Sequence, residues 1–259
     1  MISMTPVRST PSLRKFAGGL LLAAAAVGAP IQAWAQVKSV VLVHGAFADG
    51  SGWAPVAAIL KHDGYKVWVV QEPETTLADD VAATKYVLDK AGPSVLVGHS
   101  YGGVVITEAG VHDAARALVY VAAFQPDVGE SAGELATKTP AASKAIAPIG
   151  GGFLWVDPAS FAADFAGDLP KATADFMAIS QVPITGAAFG APVTVAAWKA
   201  KPSYAVVATN DRMINPALER TMYKRSNATT IELPGAHTVY VSQAERVAKL
   251  IEQAAAAAN

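Results

Sequence analysis

The chain has no cysteine in its 259 residues. Disulfides, a thiolate nucleophile and thiolate metal sites are therefore excluded. Charge is scarce too, at 16% of residues against 52% hydrophobic. Such a composition buries a core and is not that of a disordered chain. No basic cluster occurs beyond the first 35 residues. Without the three basic residues of that stretch, 17 basic residues face 21 acidic ones, a net charge of −4. Phosphate backbones are held by concentrated Lys and Arg, so nucleic acid is not an expected partner. No apolar run is long enough to make a stable membrane span, because the longest, Phe16–Ala29, falls short of the roughly 20 residues a span needs.

Residues 1–35 differ from the remainder. Arg8, Arg14 and Lys15 make a basic start without acids, and Phe16–Gly28 is apolar and small. Ala33-Trp34-Ala35 ends the stretch in an A-x-A pattern. This predicts a signal peptide cut near Ala35–Gln36, and hence export to a periplasm or the exterior.

The following chain alternates apolar runs with helical spacing. Strands are expected at Ser39–Val43, Tyr65–Val70, Ser94–Gly98, Ala115–Val121, Tyr204–Ala208 and Thr229–Leu233. Their runs are continuous, as in a parallel sheet covered on both faces. Helices are expected at Trp53–Lys61, from the capping Thr76 to about Lys90, after Ser100, at Leu218–Lys224 and at Ala244–Ala257, whose alanine tail should fray. The fold class is α/β: about six mostly parallel strands with helices on both faces. Residues 125–198 break this rhythm with prolines, Gly150-Gly151-Gly152 and many aromatics. The segment is too long and apolar for a free loop and shows no clear strand. It reads as a helical cap that splits the core into residues 36–124 and 199–259.

Gly98-His99-Ser100-Tyr101-Gly102 fits G-x-S-x-G between a strand and a helix. Small residues on either side permit the sharp turn that presents a serine hydroxyl. A hydroxyl needs a base to become nucleophilic. His62 and His112 read as surface residues and His99 as a packed side chain, whereas His237 follows the sixth strand and can reach back over the sheet. The acid that orients such a base is expected at Asp211, beyond the fifth strand; Asp127, the rival, reads as a turn residue. The chain order Ser100, Asp211, His237 is that of alpha/beta hydrolases. Two amides should face the oxyanion: those of Tyr101 and of Ala46, in the loop Val43-His44-Gly45-Ala46. Phe47, Tyr101, Phe124, Trp155, Phe176, Phe189 and Trp198 are candidate substrate contacts.

Val41–Ala46, Gly98–Gly103, Asn210-Asp211-Arg212, Gly235-Ala236-His237 and Ser242–Ala248 together resemble the alpha/beta-hydrolase superfamily over about residues 38–256. The branch they resemble holds small serine esterases akin to plant methyl-ester esterases and hydroxynitrile lyases. The lyases carry a lysine directly after the catalytic histidine and a threonine after the histidine of the first loop. Here those positions hold Thr238 and Gly45. The resemblance therefore implies a serine esterase with no metal or organic cofactor, and the aromatics of the cap suggest a small, partly apolar ester as substrate. A lactonase, a cofactor-free perhydrolase or haloperoxidase-like enzyme, and a non-catalytic ligand-binding protein on the same scaffold are the alternatives.

Overall fold

A computed structural model describes residues 1–6, 10 and 37–258. The chain divides into two units, Met1–Ala33 and Trp34–Asn259, and the fold below is that of the second. The leader reading lies almost wholly outside the described residues.

Six strands form one parallel sheet: β1 Ser39–Val43, β2 Lys66–Val70, β3 Ser94–His99, β4 Ala115–Val121, β8 Ser203–Ala208 and β9 Thr229–Leu233, in the order β2-β1-β3-β4-β8-β9. Alternate residues of each inner strand face opposite cores. Val41, Val43, Leu96, Leu118 and Tyr120 enter one, while Val40, Leu42, Val95, Val97 and Val119 enter the other. This double burial explains the continuous apolar runs. At the two edges the pattern is different, since β2 and β9 leave several residues exposed.

α1 (Ala54–His62) and α10 (Ala244–Ala257) pack together on one face of the sheet; α2 (Leu77–Ala91) and α3 (Gly102–Ala109) pack together on the other. The Thr76 hydroxyl caps α2 by accepting the Asp79 N–H at 3.1 Å. Within the alanine tail of α10, Ala254 and Ala255 are buried in the core beside α1, as is Ala258 just beyond the helix. Methyl groups are small enough for the helix to lie close to the sheet.

Between β4 and β8 lie α4 Ala132–Lys138, β5 Ile146–Gly150, β6 Phe153–Val156, α5 Pro158–Asp164, α6 Lys171–Ile179, β7 Ile184–Thr185 and α7 Gly186–Gly190. The segment is thus not only helical, because β5, β6 and β7 form a small antiparallel sheet. These strands escape a reading of periodicity for a physical reason. They are short, β5 carries Pro148, and the β5–β6 turn is the glycine run, with φ of 95°, 61° and 82° at Gly150, Gly151 and Gly152.

Candidate active site

The strand order reverses direction at β1 and β3, so the loops leaving their carboxyl ends diverge and open a crevice. Ser100 stands there at φ 54°, a left-handed conformation that is strained for a residue with a side chain. The sharp elbow leaves no room around its glycines. A Cβ at Gly98 would come within 2.5 Å of the Gly102 carbonyl oxygen, and one at Gly102 within 2.4 Å of the His44 carbonyl oxygen. Gly102→Ala is therefore expected to cost about 1–3 kcal/mol, read as a lowered midpoint in urea unfolding.

His237 follows β9 and Asp211 follows β8, so both reach the elbow from the same sheet edge. His237 Nε2 is 2.8 Å from Ser100 Oγ, and His237 Nδ1 is 2.6 Å from Asp211 Oδ2. All three residues are buried, with Ser100 7% exposed. The acceptor Asp211 assigns the proton to Nδ1, which leaves the Nε2 lone pair free to take the serine proton. Asp211 is itself held, because its Oδ1 accepts the Met213 and Ile214 N–H groups at 2.7 and 2.9 Å.

Three features around this trio were not read from the sequence. His99 Nε2–H donates to the His237 carbonyl at 2.9 Å, and the two rings meet tilted at 52° with centroids 4.6 Å apart. Glu219, from α8 Pro216–Arg225, is fully buried, and its Oε2 accepts the Ala208 N–H at 3.1 Å. Burial first, and the neighbouring Asp211 charge second, push the Glu219 carboxyl well above the usual range. Asp168 accepts three hydrogen bonds from the His237 loop. Asp168 and Glu219 lie in no recognisable motif, and His99 occupies a position that the G-x-S-x-G pattern leaves open.

The loop after β1 lies directly on the elbow: a Cβ at Gly45 would come within 2.5 Å of Ser100 Cβ. A threonine, as in the lyases, does not fit this backbone. The Ala46 and Tyr101 amides have no acceptor among the described residues. Phe47 closes the loop at φ 65° and donates its N–H to the Val182 carbonyl at 3.1 Å.

Behind this loop lies a buried polar cluster of His44, Glu72, Glu74 and Asp80. Asp80 accepts the Tyr101 hydroxyl at 2.9 Å and the Glu74 N–H at 2.8 Å. Burial, followed by the neighbouring carboxylates, raises Glu72 and Glu74 well above the usual range. Donor atoms of His44, Glu72 and Glu74 lie within 4.8 Å of one another. They do not make a metal centre as they stand. His44 Nε2 accepts the Glu72 N–H at 3.0 Å, so Nδ1 carries the proton and has no lone pair for an ion.

Above Ser100 and His237 is a cavity of about 170 Å³. Phe47, Phe124 and Phe189 line it. The other aromatic candidates are corrected by the structure. Trp155 is only partly buried and packs against the core, not on the cavity wall. Phe176 is 60% exposed, on the outer side of α6. Trp198 turns away to donate its indole N–H to the Pro126 carbonyl at 2.8 Å. The Tyr101 side chain is fully buried on Asp80, which leaves only its backbone at the site. The wall is completed by residues the sequence did not offer, including Ala136, Pro140, Ile146, Met213 and Ile214. For Met213 and Ile214 a signal was present, since they closely follow Asp211.

An activated serine, its base and an orienting acid at the carboxyl edge of a parallel sheet define a serine hydrolase. Residues 40–250 match the alpha/beta hydrolase family. The chain belongs to that family. It is 28% identical over 250 residues to a pyrethroid hydrolase of Sphingobium wenxiniae, covering 83% of this chain and 86% of that one. Among solved structures, a pyrethroid hydrolase from Sphingobium faniae superposes with a TM-score of 0.73 at 23% identity, over 84% of this chain and 97% of the other. Polyneuridine aldehyde esterase superposes with a TM-score of 0.72 at 18% identity, over 84% and 99%. Among the described residues no helix is long and apolar enough to cross a membrane.

Proposed function

We propose that the protein hydrolyses a carboxylic ester of a small, partly apolar substrate through an acyl-enzyme. The observation that carries this reading is the Ser100–His237–Asp211 chain of short hydrogen bonds, 2.8 and 2.6 Å, on the floor of a cavity walled by Phe47, Phe124 and Phe189. The similarity to a protein named a pyrethroid hydrolase supports it.

Ser100 Oγ attacks the ester carbonyl as its proton passes to His237 Nε2. Asp211 stabilises the imidazolium that forms. The Ala46 and Tyr101 amides hold the oxyanion, and their freedom from protein acceptors leaves both donors available. His237 then protonates the leaving alcohol. A water activated by the same nitrogen attacks the acyl-enzyme, and the acid and free Ser100 are regenerated.

Residues 125–198 act in this reading as a cap over the site, and residues 1–35 as a leader that directs export. The test therefore uses the chain starting at Gln36 with p-nitrophenyl esters from acetate to palmitate. Turnover is expected, faster on acetate and butyrate than on palmitate, because the cavity is small. Absence of turnover on every ester would overturn the reading and lead to lactones and peroxide-dependent oxidation.

A further inference from the structure

We infer that Asp168, a carboxylate from the segment between β4 and β8, is a positioning residue for the base His237. The inference rests on reading Ser100, His237 and Asp211 as a hydrolytic triad. Asp168 lies between α5 and α6, far from β9 in sequence. Its Oδ2 accepts the Ala236 N–H at 2.8 Å and the Ser242 hydroxyl at 2.5 Å, while its Oδ1 accepts the Thr238 hydroxyl at 2.7 Å. Ala236 and Thr238 are the two chain neighbours of His237. One carboxylate thus grips the backbone on one side of the base and a side chain on the other. Ser242 extends the grip to the end of the short helix α9, Val239–Ser242.

Two observations show that this contact is built into the loop. A Cβ at Gly235 would come within 2.8 Å of Val239 Cγ2 and 3.0 Å of Asp168 Oδ2, so the glycine keeps both approaches open. Phe165, three residues before Asp168, packs edge-on against the His237 ring at 4.8 Å between centroids. The same short segment therefore holds the ring and the loop that carries it. Asp168 makes no hydrogen bond with Ser100, His237 or Asp211 side chains, so its effect on the reaction passes through the placement of His237.

A carboxylate matches three converging donors. An alanine removes all three acceptor contacts, whereas an asparagine with its oxygen toward Ala236 and its N–H₂ toward Thr238 would keep them. The hydroxyls of Thr238 and Ser242 can turn to other partners, whereas the Ala236 N–H cannot. In the alanine variant either the loop shifts or that donor is left unmet. A small displacement of a base from its reacting partner costs up to about 100-fold in rate.

The experiment measures how fast a fluorophosphonate probe modifies Ser100 in the wild type, Asp168→Ala, Thr238→Val and Thr238→Ser, alongside kcat and KM on p-nitrophenyl butyrate. Asp168→Ala is expected to slow both labelling and kcat by about 10- to 100-fold, with KM changed less than about threefold. Thr238→Val should slow both to a lesser degree, and Thr238→Ser, which keeps the hydroxyl, should match the wild type. A purely structural role would lower the fraction of sites that label and leave the rate per labelled site unchanged, which would overturn the inference. Should Asp168→Ala fail to fold, the two Thr238 variants decide: equal rates in both overturn it. A wild type that the probe does not label refutes the triad reading itself, a result distinct from any of these.

Discussion

Ser100→Ala is expected to lower kcat on an activated ester by about 10⁶-fold, and Asp211→Asn by about 10⁴-fold. The first change removes the hydroxyl that His237 Nε2 faces at 2.8 Å. The second acts through the proton on the base. Asp211 Oδ2 accepts from His237 Nδ1 at 2.6 Å, and Oδ1 is already engaged by the Met213 and Ile214 amides. In the Asp211→Asn variant those two amides demand the carbonyl oxygen at the Oδ1 position, so the NH₂ group is turned toward His237. The imidazole must then accept at Nδ1 and carry its proton at Nε2, where it cannot take the serine proton. Glu219 offers no substitute acid in this geometry, because it makes no hydrogen bond to His237. Both variants should fold, since each replacement fits the space of the original side chain. Steady-state kinetics with thermal unfolding as a control checks this. A loss below about tenfold in Ser100→Ala would remove Ser100 as the nucleophile.

Whatever depends on local sequence was legible beforehand. Both-face burial writes continuous apolar runs into the inner strands, and the elbow writes glycines around Ser100. Asp211 and His237 follow because each closely trails a strand whose end faces Ser100. The substrate wall was read less well, for a reason visible in Trp198. An indole N–H seeks an acceptor, and which carbonyl lies in reach is decided by tertiary packing. The roles of Asp168, Glu219 and His99 were missed on the same ground. They act on the His237 and Asp211 loops from 69, 8 and 138 residues away along the chain, and nothing local marks those contacts. The small sheet of the inserted segment was hidden by proline and glycine, which obscure the alternation on which a strand is recognised.

Stability is expected to fall as pH rises above neutrality. Glu72, Glu74 and Glu219 are buried, and burial, followed by neighbouring carboxylates, lifts all three well above their ordinary 4.5. In the unfolded chain each releases its proton near the ordinary value, whereas the folded protein keeps it. Their contribution is complete below that value and is lost as pH climbs toward the raised ones, each group adding a slope of about −1.4 kcal/mol per pH unit. His44 and His99 work in the opposite direction: burial holds both below the usual 6.5, so their contribution is lost as pH falls through that region. Above about pH 7.5 the histidines are largely neutral in both states, and among these five residues only the glutamate slope remains. Urea unfolding at about pH 7.5, 8.0 and 8.5 should show a declining free energy. Glu219→Gln isolates one group, because glutamine keeps an oxygen for the Ala208 N–H and has nothing to titrate. The variant should gain on the wild type as pH rises over this range, by at most about 1.4 kcal/mol per pH unit. A difference that stays constant with pH would mean that Glu219 is ionised in the folded protein, placing two carboxylates side by side behind His237. Asp211 would then share the support of the imidazolium with a second buried anion, and Glu219→Gln would lower kcat instead of sparing it.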